Sequence, residues 1–365
     1  MRLMKLVLVA AIVLAGAVAG GLAIADRSVR LTSGGPGLAG LLQVAKPIPP
    51  APAALQSRLE TLAAAYGEEV GIAVTDVATG WTAGVDTDRP YPQQSVSKLW
   101  VAIAVMRAVD EGRIAPDAIV TLSEADRSVF FQPVAYRIGP GGYQTTVSDL
   151  LRRALVESDN AANDRLMREL GGPDGVALTL QEMGLTGVKV GAFERDLQAL
   201  TAGLVWQPDY GIGWNFQAAR EALPRATRQA ALDAYLAAPL DGAAPGEITA
   251  ALAALSRGEL LSAASTARVL DWMAQARTGP RRLKGGLPGG WSIAHKTGTG
   301  QDFSGASVGI NDVGLLTAPD GRVYAVAVMM RRTWKPVPER LAFMQSVTRA
   351  VAEDWDRTAG IQTAD

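Results

Sequence analysis

Gln94-Ser95-Val96-Ser97-Lys98-Leu99-Trp100-Val101-Ala102-Ile103-Ala104-Val105-Met106 opens polar and becomes a long apolar, helix-patterned run that ends at Gly112. Three residues apart on a helix, Ser95 and Lys98 share one face, and the helix N-terminus adds a partial positive charge beside them. The stretch therefore sets a hydroxyl next to an amine. A serine hydroxyl is a poor nucleophile until a neighbouring base takes its proton, and a lysine with a depressed pKa can be that base. Alone, Ser-x-x-Lys is more simply read as the polar first turn of an amphipathic helix, so the remainder of the chain has to decide.

Composition narrows the field. With 365 residues, 48% hydrophobic and 19% charged, the chain is globular and long enough for one or two domains. Its 35 basic and 36 acidic residues leave a net charge of -1, which gives no electrostatic reason for a nucleic-acid partner. The absence of cysteine removes thiol catalysis, thiolate metal sites and disulfides. A single histidine, His295, cannot build a multi-histidine metal site, and no cofactor or metal is implied.

Arg2 and Lys5 precede an apolar run, Leu6 to Ala25, that closes in Ala23-Ile24-Ala25. This is the pattern of an export signal with a small-residue cleavage site, and it predicts a periplasmic or secreted protein. The run is also long enough to anchor the chain in a membrane if it is kept. Residues 26–54 are rich in Gly and Pro and read as an extended tether, so the folded domain is expected over 55–365.

Within that domain, Leu55 to Tyr66 reads as a helix, followed by strands at Val70 to Asp76 and Trp81 to Val85. Gly112 to Gly142 is polar and irregular. Thr146-Val147-Ser148-Asp149 is a capping-box pattern that starts a helix through Leu155, and Ala161 to Leu170 is a further helix. Gly184 to Thr201 has loop character. Arg225 to Ala238, Ile248 to Arg257 and Ala263 to Ala276 are helical in composition, whereas Trp291 to Lys296, Ser307 to Thr317 and Val323 to Arg331 read as strands before a last helix, Glu339 to Thr358. Strands at both ends of a helical middle predict an α+β fold: one sheet built from both termini, with an inserted helical subdomain.

Two further motifs follow the first in order, Ser158-Asp159-Asn160 in a helix-to-helix loop and Lys296-Thr297-Gly298 at a strand end. Each is weak alone. Ser-x-x-Lys, Ser-Asp-Asn and Lys-Thr-Gly together form the trio of penicillin-binding proteins and class A β-lactamases. Further matches are Gly258-Glu259-Leu260-Leu261, Asp271-Trp272-Met273, Leu287-Pro288-Gly289-Gly290-Trp291 and Asn311-Asp312-Val313-Gly314. From Leu55 to Trp355 the chain resembles the class A serine β-lactamases. The resemblance implies a five-stranded antiparallel sheet flanked by the terminal helices, with the active site between the sheet and the helical subdomain.

It also implies roles. Ser95 would be acylated, with Lys98 as base or part of the proton path; Ser158 would relay a proton to the leaving nitrogen; Lys296, with Thr297, would hold the substrate carboxylate; Gly298 would let the substrate lie close to the strand; and Asn160 would bind its side-chain amide. The backbone N–H groups of Ser95 and Thr299 would form the oxyanion hole. His295, beside Lys296, is expected to be a strand residue without a chemical role. A monomer acting on a small β-lactam, or on a peptidoglycan-derived substrate, is the partner picture that follows.

What separates a β-lactamase from a penicillin-binding D,D-peptidase, or from a slowly deacylating β-lactam sensor, is a general base that hydrolyses the ester. In the family a loop Glu is followed four residues later by Asn. Here the loop reads Phe193-Glu194-Arg195-Asp196-Leu197-Gln198, so the base is present while Gln198, one methylene longer, stands where the deacylating water is held. The chain also carries about forty extra residues, roughly 200–247, with Trp206, Tyr210, Trp214 and Phe216. A small satellite core of these aromatics is expected in preference to a lid.

Overall fold

The computed structural model describes residues 47–362. Helix α1 (Ala53–Tyr66) stops where Gly67 takes a left-handed φ of 74°, a conformation that costs glycine nothing. It begins two residues before the expected start of the folded domain at Leu55. Strand β1 (Val70–Asp76) and its hairpin partner β2 (Thr82–Val85) follow, and then β3 (Tyr91–Pro92) leads to the site helix α2 (Ser97–Asp110). The region after Gly112 is less irregular than its composition predicts, since β4 (Ile119–Leu122) pairs with β5 (Tyr143–Thr146).

Only half of the expected capping box forms at α3 (Val147–Arg152): the Thr146 hydroxyl accepts the Asp149 N–H at 3.1 Å. The Asp149 carboxylate turns instead to Arg153, at 2.7 Å, and to the Thr145 hydroxyl. Past Arg152 the helix widens into a π turn, Arg153–Glu157, rather than continuing regularly. Helices α4 (Asn160–Glu169) and α5 (Pro173–Glu182) complete this side of the helical subdomain.

Glu194 does not sit in a loop but opens helix α6 (Glu194–Thr201). The segment that follows contributes α7 (Asn215–Ala222), α8 (Arg225–Ala237) and β6 (Gly242–Ala243), which pairs with β3. After α9 (Pro245–Ser256) and α10 (Ala263–Ala274) come β7 (Ser292–Gly298), β8 (Asp302–Phe303), β9 (Ala306–Thr317), β10 (Val323–Thr333) and the closing helix α11 (Val337–Gln362). The main sheet is antiparallel in the order β2-β1-β10-β9-β7, with two-residue β8 added at β9.

Alternation along the strands divides the core in two. Val326, Val328 and Met330 face the terminal helices, where Leu55 and Leu59 of α1 meet Val347 and Val351 of α11. Their neighbours Ala325, Ala327 and Met329 face the other way, onto the cluster built around Leu99, Trp100 and Ile103 of α2. Eleven of the fourteen residues of α2 are buried, as a helix apolar nearly all round requires. That central position fixes the two polar residues at its start between sheet and helices.

Among the described residues no helix is long and apolar enough to cross a membrane. The expected export segment, 1–25, lies outside the described residues.

Candidate active site

Ser95 lies in a single 3₁₀ turn, Gln94–Val96, just ahead of α2. The residue before it, Gln94, is held at a φ of 54°, a left-handed conformation that a non-glycine residue keeps only when its surroundings impose it. Those surroundings are specific. The Gln94 N–H donates to Asp241 at 2.6 Å, its side-chain amide donates to the Tyr235 hydroxyl at 2.6 Å, and Tyr235 in turn donates to Asp241 at 2.8 Å.

One turn after Ser95, at the second position of α2, the fully buried Lys98 donates to Ser95 Oγ at 2.8 Å and to Glu194 Oε2 at 2.8 Å. Burial alone would raise the Glu194 pKa, but the Lys98 charge and the hydrogen bonds from Lys98 and Gln198, with Lys296 beyond, hold it below the usual glutamate value. Glu194 is placed by its backbone: Asp164 of α4 accepts the Glu194 N–H at 2.6 Å and the Arg195 N–H at 3.2 Å. A carboxylate at the first N–H groups of α6 also suits the helix dipole.

Gln198 does not hang free over the site. Its amide nitrogen donates to Glu194 Oε1 at 2.9 Å and to Gln94 Oε1 at 2.8 Å, and its oxygen accepts from Gln301 at 2.9 Å. The longer side chain thus ties Glu194, Gln94 beside Ser95, and the edge of the β7–β8 turn into one network.

Across from Ser95, the π turn delivers Ser158 in a left-handed conformation, φ 64° and ψ 34°. Asp159 then caps α4 and also accepts the Val134 N–H at 2.7 Å, which fixes the turn from both sides. Lys296 of β7 donates to Ser158 Oγ at 3.0 Å. Burial, aided by the like charge of Lys98, holds the Lys296 pKa well below the ordinary lysine range. Asn160 anchors the facing loop, its amide donating to the Val129 carbonyl at 2.8 Å.

Thr297 and Thr299 flank Gly298, where a Cβ would lie 2.2 Å from the Gln93 carbonyl oxygen. Only glycine lets β7 come this close to the turn that carries Ser95. Beside them is a cation with no motif to announce it: Arg282 donates to the Gly298 carbonyl at 2.8 Å, to the Asn311 carbonyl at 2.6 Å and to Thr299 Oγ1 at 2.6 Å. His295 is buried with its Nδ1 2.8 Å from the Asp312 carboxylate. Asp312 also receives the Leu283 N–H at 3.0 Å, next to Arg282. A cavity of about 610 Å³ is lined by Ser95, Ser158, Asn160, Glu194, Thr297 and Thr299, a size that suits a small molecule.

Ser95, Lys98, Ser158, Asn160, Glu194, Gln198, Lys296, Thr297, Gly298 and Thr299 are therefore brought together. Arg282, Gln94, Gln301, Tyr235 and Asp241 join them from positions that carry no local signal. The expected satellite core exists in part: Phe216 is buried with Val129, Ala199 and Ala202, and Trp206 and Tyr210 pack against it. Trp214, by contrast, is 78% exposed.

The Asp241 carboxyl beneath Gln94 has a consequence for stability. Burial pushes its pKa up to about 7, against the hydrogen bonds from Tyr235 and Gln94. Between about pH 4 and about pH 7 the folded chain then keeps a proton that the unfolded chain has released. Unfolding free energy should accordingly fall as pH rises through this window, by up to ~1.4 kcal/mol per unit from this one group. Urea titrations at a series of pH values should show a shallower fall in Asp241→Asn; an unchanged slope would show that Asp241 is not its source.

A serine joined through lysine to a buried carboxylate, with a second Ser–Lys pair facing it across a cleft, is the arrangement of a serine hydrolase. Residues 54–355 match the model of the Beta-lactamase enzyme family, and the chain belongs to that family, in its class A serine branch. Over 277 residues it is 26% identical to β-lactamase VEB-1 of Pseudomonas aeruginosa, covering 76% of this chain and 82% of that one. It is 28% identical over 278 residues to the extended-spectrum β-lactamase PER-1 of the same organism, covering 76% and 79%. The solved class A β-lactamase of the last common ancestor of Gram-negative bacteria superimposes with a TM-score of 0.65 at 29% identity, covering 83% of this chain and 100% of that one.

Proposed function

We propose that the protein hydrolyses β-lactams through an ester on Ser95 and that Glu194 is the proton acceptor in both halves of the cycle. The observation that carries this reading is the unbroken chain Ser95 Oγ, Lys98 Nζ, Glu194 Oε2, with 2.8 Å at each step. If Lys98 passes a proton to Glu194, a neutral amine is left within hydrogen-bond reach of the hydroxyl, and Ser95 can attack the lactam carbonyl. The N–H groups of Ser95 and Thr299 receive the developing oxyanion. Ser158, backed by Lys296, protonates the departing nitrogen. Ser158 is reprotonated through Lys98, which takes its proton back from Glu194, so Glu194 is again a carboxylate when the ester stands complete. In the second half Glu194 takes a proton from water as it attacks the ester.

Substrate placement follows from charge. Lys296, Thr297 and Arg282 converge on one end of the cavity and suit a ring carboxylate. An anion there restores the ammonium form of Lys296 that burial disfavours. Asn160 meets the side-chain amide. Gln198 supports Glu194 from the position where the family's Asn stands. Export by residues 1–25, which Arg2, Lys5 and the Leu6–Ala25 run support, would put this monomeric activity in the periplasm or outside the cell.

The test is to mix purified protein with a chromogenic cephalosporin and follow product over many equivalents. Sustained turnover is expected. A single stoichiometric burst would overturn the hydrolase reading in favour of a D,D-peptidase or a sensor that remains acylated.

A further inference from the structure

Arg220, in the last turn of α7, reaches the same cavity as Ser95 from the segment that the chain inserts after α6. Its guanidinium carbon lies 5.9 Å from the ring centroids of both Phe130 and Phe216. It makes one hydrogen bond, 3.3 Å from Nη2 to the Asp302 backbone carbonyl, while its buried Nε has no partner. A guanidinium carries five N–H donors, so most of its capacity is unused. Among the described residues no carboxylate is within ion-pair distance of it. The other acids of the cavity are engaged: Glu194 by Lys98, Glu157 by Arg152 at 3.0 Å, and the Asp302 carboxylate by the Ser307 hydroxyl at 2.5 Å.

Arg220 and Arg282 hold to different walls. Arg282 is tied to β7 through the Gly298 carbonyl and Thr299, whereas Arg220 is tied to Asp302 and to the Phe130 loop, which also carries the Asn160 anchor. A β-lactam seated by its ring carboxylate at Lys296 and Arg282 directs its acyl side chain past Asn160 toward the second wall. We propose that Arg220 is a specificity-determining residue that binds a carboxylate on that acyl side chain, which favours substrates with a second negative charge. The proposal rests on the β-lactam reading of the Ser95 site. Arg228 lies near enough to add to the positive field, opposed by Glu221 and Asp302.

Benzylpenicillin and its α-carboxy analogue differ only by such a carboxylate. Acylation of Ser95 by each is timed by rapid quench and intact-protein mass measurement, in the unmodified protein and in Arg220→Leu. The variant should acylate about 10- to 100-fold more slowly with the carboxy compound, the effect of a lost charge-assisted hydrogen bond, and unchanged with benzylpenicillin. Arg220→Lys keeps the charge and the packed stem but not the fork, so it should lose less, again with the carboxy compound alone; this second variant carries the test if Arg220→Leu does not fold. Equal losses on both penicillins, or none on either, would overturn the proposal and leave Arg220 a wall residue. Because acylation is the readout, a protein that bursts without turning over would refute the hydrolase reading while still reporting on Arg220. Failure of both penicillins to acylate Ser95 would overturn the two together.

Discussion

Glu194→Gln should let Ser95 become acylated while slowing release of the acyl group by about 100- to 10,000-fold, the span of general-base catalysis. The amide cannot take a proton from water, and its hydrogen-bond pattern is wrong for its place. Glu194 Oε1 and Oε2 each accept a donor, from Gln198 and Lys98, so a glutamine in either orientation turns an N–H₂ toward one of them. Acylation survives because the same change relieves Lys98 of its counter-charge. A buried ammonium without a partner gives up its proton more readily, and a neutral Lys98 is already within reach of Ser95 Oγ. The measurement is intact-protein mass at timed intervals after mixing with a cephalosporin. A persistent adduct of one equivalent is expected, and wild-type release rates in the variant would remove Glu194 from the deacylation step.

How much of this was legible beforehand depended on whether the signal was local. The sheet and α2 could be read because burial on alternate sides, or on all sides, writes itself into consecutive residues. Glu194 is legible by its place in a motif, but Gly184 to Thr201 reads as loop; what makes Glu194 a helix start is Asp164, thirty residues earlier, accepting the N–H groups of Glu194 and Arg195. The left-handed turn at Ser158 has no glycine to mark it. It is imposed by the widened turn before it and by Asp159, which binds the Val134 N–H and caps α4. Arg282 and Arg220 were invisible for the same reason: an arginine in a polar loop or on a half-exposed helix becomes informative only when the fold shows which groups it lacks.

Gln198 is the instructive departure. From sequence, one extra methylene threatened the place of the water. In the fold that length is used to reach Gln94 and Gln301 as well as Glu194. Tyr235 of the inserted α8 then holds Gln94 from the other side, so the insertion supports the turn that carries Ser95 in addition to lining the cavity.

Lys98→Met should cost roughly 3–5 kcal/mol of stability, because removal of one member of a buried ion pair strands the other, and should slow acylation by about 100- to 10,000-fold through loss of the base. The two losses separate in the double variant Lys98→Met/Glu194→Gln. With no charge left to strand, it should regain most of the stability and none of the acylation rate. Unfolding followed against pH gives a second, independent reading. In the unmodified protein the folded Glu194 pKa is below its ordinary value of 4.5, so its contribution is present above about pH 4.5 and is lost as pH falls through the folded value. Without Lys98 the largest lowering influence is gone, and burial raises the folded pKa instead. The sign then reverses: the single variant gains relative stability in acid and loses it as pH rises through the raised value. Equal stabilities for the single and double variants, with parallel pH profiles, would mean that Lys98 and Glu194 are not coupled as their 2.8 Å contact requires.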